Sequence, residues 1–265
     1  MRLRDCCWLW GHPEGRYNNA YGNTLKSRMT PMECCLYLGI RNAFMVPNEW
    51  EVNIRQYNKS FTTLDAVGWG YAWHKACDAG KFDEILAEAR DFPNVTAVAM
   101  DDFKTGDKYK EFSIESLREL HDRLHHNDVR RLNSWMILYT FQFGRDAAAD
   151  AEFQPYLDVF DGVIMWTWKE RDVHLIPEKF ELFKKMTPHN RRMFGCYLYN
   201  FGENKRATPE LVQWQLDFYR ERIMAGEAEG IVLHTNTMAD LDFEEYEVAR
   251  RWMELHGDEI IPGTE

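Results

Sequence analysis

Asp101 and Asp102 stand side by side at the end of the apolar run 95–100 and are followed by Phe103. Two carboxyl groups this close resist being ionised together, so one is expected to keep its proton to higher pH than an isolated aspartate. A carboxylic acid still protonated near neutrality is equipped to act as a general acid. The competing role is structural: an aspartate here would cap the following helix or pair with Lys104 or Lys108. Glu170 and Glu203 are the candidates for a second carboxylate. The plainer reading pairs Glu170 with Lys169 or Arg171 and leaves Glu203 as a solvated loop charge. Lys169 carries a different chemistry. Between Trp166 and Glu170, beside Trp168, a desolvated amine would form a Schiff base with a carbonyl compound, unless the chain lies along the indoles with its ammonium in water.

His12, His234 and Asp101 could in principle surround a metal ion, but neither H-x-H nor H-E-x-x-H occurs in the chain, so no metal and no cofactor is expected. His234 reads instead as a hydrogen-bonding group for a hydroxyl. The broadest signal is aromatic: Phe, Trp and Tyr make up 14% of the residues, with 10 Trp, more than a core of this size requires. Trp8, Trp10, Trp69, Trp73, Trp166, Trp168, Tyr197 and Tyr199 cluster at the ends of apolar runs. Flat rings stack on the C–H faces of sugars, and Asn200, Asn236, His12 and Lys169 are polar groups placed to read hydroxyls. The expected partner is a carbohydrate or another small polar molecule. Strand alternation sends about half of the aromatic set to the opposite face.

These residues need a scaffold that brings distant segments together. Short runs rich in Val, Ile, Phe, Tyr and Trp occupy 5–10, 43–46, 66–72, 95–101, 133–139, 162–168, 193–199 and 230–236. Amphipathic stretches lie between them. Thr30-Pro31-Met32-Glu33 carries an N-cap, a first-turn proline and a capping-box glutamate, and Thr208-Pro209-Glu210 repeats the theme. Strand then helix about eight times over is the pattern of a parallel sheet, and 265 residues over eight units is about 33 each, the repeat of a closed (β/α)8 barrel. An open doubly wound sheet would carry a glycine-rich first turn, whereas here the turn reads Gly11-His12-Pro13-Glu14-Gly15. With no linker or charge block to divide it, the chain is expected to be a single barrel domain.

In such a barrel the working groups sit at the carboxyl ends of the strands. Small Ala97 and Ala99 suit the crowded bore, which puts Asp101 inward and Asp102 toward the rim. The same parity turns Val232, His234 and Asn236 inward on the last strand and Gly195, Tyr197 and Tyr199 on the one before. On the sixth strand, Trp166, Trp168 and Glu170 share one face while Thr167 and Lys169 share the other.

The formal charge of −11 argues against nucleic acid or an anionic membrane surface as a general partner. No run reaches the ~18 apolar residues of a membrane span. The first residues show no signal-peptide core, which points to the cytoplasm, with the periplasm or secretion open if a leader has been removed. The 6 cysteines include the neighbours Cys6-Cys7 and Cys34-Cys35 but no C-x-x-C, and are expected to be buried free thiols.

The repeat, the strand-4 segment Asp101-Asp102-Phe103 and the segment Trp166-Thr167-Trp168 together resemble the (β/α)8-barrel glycoside hydrolases and their relatives in carbohydrate-degrading bacteria. That resemblance implies an acid after strand 4 and a nucleophilic glutamate at the end of strand 7. This chain has Asn200 near the second place, with Glu203 further out. A glycosidase uses two carboxylates roughly 5–9.5 Å apart, so the expected set is Asp101 or Asp102 as acid and Glu170 as base or nucleophile. The rivals are an aldolase or lyase working through Lys169 and a barrel that binds sugar without cleaving it.

Overall fold

The computed structural model describes residues 1–47, 50–71 and 79–264. Among these, eight parallel strands alternate with eight α-helices: β1 (Cys7–Gly11), α1 (Pro31–Leu38), β2 (Asn42–Met45), α2 (Ile54–Ser60), β3 (Ala66–Tyr71), α3 (Ala79–Asp91), β4 (Val95–Met100) and α4 (Ile114–His125), then β5 (Asn133–Tyr139), α5 (Ala147–Leu157), β6 (Gly162–Trp166), α6 (Ile176–Met186), β7 (Arg191–Tyr197), α7 (Pro209–Met224), β8 (Gly230–His234) and α8 (Glu244–His256). Each strand pairs with the next, and β8 pairs with β1 in the register Trp8↔Val232 and Trp10↔His234. The ring is closed, and the fold is a (β/α)8 barrel.

Local chemistry explains the helix starts. Thr30 accepts from the Glu33 amide, and the Glu33 carboxylate accepts from the Thr30 amide at 2.8 Å, a complete capping box ahead of Pro31. Gly39 ends α1 at φ 69°, a left-handed cap that glycine adopts without cost. The start of α7 differs. The Thr208 hydroxyl makes no bond to its own helix and donates instead to Glu170 Oε1 at 2.8 Å.

Apolar side chains form two shells. The outer one fills the space between strands and helices. The inner one fills the bore, where Trp10, Phe44, Trp135 and Trp166 pack with Ala97 and Ala99. So many indoles fit because facing positions are glycine: a β-carbon at Gly162 would run into Trp135, and one at Gly195 into Trp166. On β3 the inward positions are likewise glycine, Gly68 beneath Phe44 and Gly70 against Val46. Trp69 between them faces outward.

Five cysteines, Cys6, Cys7, Cys34, Cys35 and Cys196, are buried free thiols, and Cys77 falls outside the described residues. No helix among the described residues is long and apolar enough to cross a membrane.

Candidate active site

The carboxyl ends of the strands open into a cavity of about 400 Å³, within the range of small-molecule sites. β1 contributes Trp10 and, just beyond it, His12. Asp101 and Asp102 follow β4, Tyr139 ends β5, Trp166 and Trp168 come from β6 and beyond, Tyr197 ends β7 and His234 ends β8. The connection between β1 and α1 adds Arg16, Tyr17 and Tyr21.

Asp101 and Asp102 are both half-buried in the cavity wall. Burial, and then the neighbouring Asp102 charge, push the Asp101 carboxyl up to about 8, against an opposing hydrogen bond from the Asp102 amide. Asp102 has φ 53°, in the left-handed region that aspartate tolerates better than most residues. Its backbone carbonyl accepts from the Thr105 amide at 2.9 Å, and Oδ1 accepts from the Thr105 hydroxyl at 3.3 Å. Phe103 anchors this turn from behind, fully buried among Phe112, Phe153 and Phe160. Lys104 turns away to Asp150 at 3.5 Å and lies over the Phe153 ring, so it pairs with neither aspartate. The Tyr17, Tyr139 and Tyr197 phenols all feel the charge of Asp101 and Asp102 and are held neutral by burial first.

Across the cavity two histidines meet. His12 Nδ1 lies 2.7 Å from the Val46 carbonyl, which can only accept, so Nδ1 carries the proton and Nε2 offers a lone pair. His234 Nε2 and the Tyr17 hydroxyl each lie 3.2 Å from that atom. Burial holds both imidazoles neutral, with His12 lowered to about 3 and His234 well below its usual range. His234 Nδ1 and Trp166 Nε1 are buried without a hydrogen-bond partner. Both residues line the cavity, but these two atoms themselves are sealed from it.

Of the residues singled out in the sequence, Trp10, His12, Asp101, Asp102, Trp166, Trp168, Tyr197 and His234 come together here. Others do not. Trp8 lies in the bore one layer below Trp10, stacked on Phe44 at 4.6 Å near the opposite end of the barrel. Trp69 is fully buried under α2, its Nε1 donating to Asn58 Oδ1 at 3.0 Å. Tyr199 lies past the end of β7, where strand parity no longer applies, and donates to the Tyr21 carbonyl at 2.8 Å. Asn200 opens a tight return that pairs it with Lys205, and its Nδ2 donates to Glu203 at 2.7 Å. Asn236 acts as a strap: Oδ1 accepts from the His12 amide at 2.8 Å, and Nδ2 donates to the Met29 carbonyl.

Glu170 also leaves the cavity. Its carboxylate accepts from the Thr208 amide at 2.6 Å and from the Thr208 hydroxyl, tying the segment after β6 to the start of α7. Lys169 runs past Gly202 and is absent from the cavity lining. Trp73 falls outside the described residues. Reading the sequence missed Arg16, Tyr17 and Tyr21, which line the cavity together with Tyr139 and Phe141 at the end of the fifth strand. The signal for the first three was the length of the segment 12–30, since so long a connection in a compact barrel is often functional.

Among the described residues, the group that could hold a metal is His121, His125 and Asp161. It lies at the amino-terminal end of the strands, away from the cavity. Asp161 there accepts from the Ser134 amide at 2.7 Å and faces Arg131 at 2.8 Å.

No protein-family model matches the chain, and no curated protein matches it either. Solved structures match over nearly the whole length. The active domain 2 of a thermostable chitinase from Pyrococcus furiosus aligns with a TM-score of 0.60 at 11% identity, covering 97% of each chain. The tryptophan synthase alpha-subunit of the same organism aligns at 0.53 and 11% identity, covering 98% of each. Tryptophan synthase from Mycobacterium tuberculosis gives 0.54 at 8% identity, covering 97% of this chain and 95% of the other. At such identities the likeness extends to the barrel fold alone.

Proposed function

We propose that this protein is a carbohydrate-active barrel that cleaves a glycosidic bond, with Asp101 as the general acid. The observation that carries the reading is the Asp101–Asp102 pair, half-buried at the carboxyl end of β4 in a cavity walled by Trp10, Trp166, Trp168 and Tyr197. A sugar ring stacked on an indole would present its glycosidic oxygen to Asp101. The acid donates its proton to that oxygen as the C1–O bond breaks, and Asp102, next to it, offsets the positive charge that develops on the ring. Water then adds to C1, and its proton returns to Asp101. The chitinase among the structural neighbours is a glycosidase on the same scaffold, which agrees with this reading at the level of fold.

The test is a screen of 4-nitrophenyl glycosides, followed by Asp101→Asn on any substrate found. Turnover should fall by about 10²–10⁴, the usual contribution of a positioned general acid, with ring binding kept within a few-fold. Undiminished turnover would remove Asp101 from the chemistry.

One observation favours a second reading. Among the described residues lining the cavity, Asp101 and Asp102 are the only carboxylates, and both stand on the same wall. A barrel that binds a sugar without cleaving it fits that arrangement. A sugar bound by the wild-type chain but never turned over, with no glycoside hydrolysed in the screen, would decide for binding alone.

A further inference from the structure

Among the described residues lining the cavity Arg16 is the one cation, and none of the described residues pairs with it ionically. It reaches the lining from the segment between β1 and α1. Its guanidinium lies 5.6 Å from the centroid of the Tyr17 ring and 5.7 Å from that of Trp50. Two aromatic faces hold the group in place by cation–π attraction, which leaves its planar donor fork unspent. Among the described residues no carboxylate forms an ion pair with it, and its Nε is buried without a hydrogen-bond partner. The two aspartates of the cavity do not neutralise it. The Tyr17 phenol feels all three charges, raised by Asp101 and Asp102 and lowered by Arg16.

A chain with a formal charge of −11 has abundant carboxylates with which to pair an arginine. Most of its other arginines are so paired, including Arg2, Arg4, Arg41, Arg55, Arg90 and Arg123. Since Nε is sealed from solvent, the donors that a ligand in the cavity could meet are the terminal amino groups of the guanidinium. A rigid, planar, partner-free fork beside stacking aromatics matches an oxyanion carried on a flat ring, because two parallel N–H groups meet two oxygens. We propose that the ligand of this cavity is an acidic sugar, bearing a carboxylate or a sulfate ester that Arg16 binds, while the uncharged face of the ring stacks on the indoles. The proposal rests on the carbohydrate reading above and names the class of sugar.

The experiment measures binding of glucose, glucuronate and glucose 6-sulfate to the full chain by protein-observed NMR titration. It uses the wild type, Arg16→Gln and Arg16→Lys. In the wild type, at least one of the two acidic sugars should bind about tenfold or more tightly than glucose, in line with a charge-assisted bidentate contact, and the one preferred identifies the oxyanion. The preference should disappear in Arg16→Gln and be only partly kept by Arg16→Lys, which retains the charge but not the fork. Added salt should weaken the acidic ligand and leave glucose alone. Equal binding of all three sugars by the wild type, or a preference that survives Arg16→Gln, overturns the inference and leaves the carbohydrate reading standing. Binding of none of the three overturns that reading and the inference with it.

Discussion

The proton on Asp101 is the most consequential single atom of this cavity. With the carboxyl pushed up to about 8 by burial and by Asp102, the acid form persists through neutrality and is lost only as pH rises through that value. An ordinary aspartate loses its proton near 4. If Asp101 is the general acid, kcat/KM should stay level across neutral pH and fall above about pH 8. Asp102→Asn removes one of the two causes of the upward shift, so the falling limb should move to lower pH. A pH–rate profile of the two proteins checks this, and a limb that does not move would show that burial alone sets it. At this scale the sequence was informative where the backbone was regular. Parity from Ala97 and Ala99 placed Asp101 at the mouth, and Asp101 does line the cavity, directly after the end of β4 at Met100. Parity failed at Tyr199 and Asn236, where the strands had already ended and hydrogen bonds to loops took over.

Among elements, the joint between β6 and α7 decides what Glu170 is for. Its carboxylate caps the first turn of α7 from outside the helix, a charge-assisted contact at the positive end of the helix dipole. Glu170→Ala should therefore cost about 1–2 kcal/mol of stability, the usual range for a lost cap, while kcat/KM changes by no more than a few-fold. Chemical denaturation and kinetics on the same variant separate the two effects, and a large loss of turnover would return Glu170 to the chemistry. Nothing local in the sequence announces this contact, since Glu170 and Thr208 lie 38 residues apart. The cap at Thr30, by contrast, was legible because both partners fall within one turn. The same difference explains Arg16 and Tyr17. They sit in an irregular segment to which no periodicity applies, and only its length marked it.

For the whole molecule, the eightfold alternation made the barrel legible from composition and spacing alone, because a closed ring requires every strand to repeat one pattern. The ends of the chain are drawn into the closure. Leu3 donates to the Glu259 carbonyl at 2.9 Å and Ile261 to the Met1 carbonyl at 3.0 Å, so both ends join at one edge. Since β1 is held on one side by β8 and on the other by β2, no strand can leave without opening the ring. Heat or denaturant should unfold the chain in one transition, coincident in far-ultraviolet and aromatic circular dichroism. Two separated transitions would show that part of the ring melts by itself.

The pairing of Trp166 with Gly195 has an evolutionary corollary. The indole occupies the space that the missing side chain vacates, so neither residue can change alone without leaving a hole or forcing a collision. A lineage that needed a deeper well would have to alter both together, a rare double step. Room for new ligands is easier to find around the rim, where exposed loop positions such as Glu14, Asn19 and Leu25 are not locked to a single partner's shape.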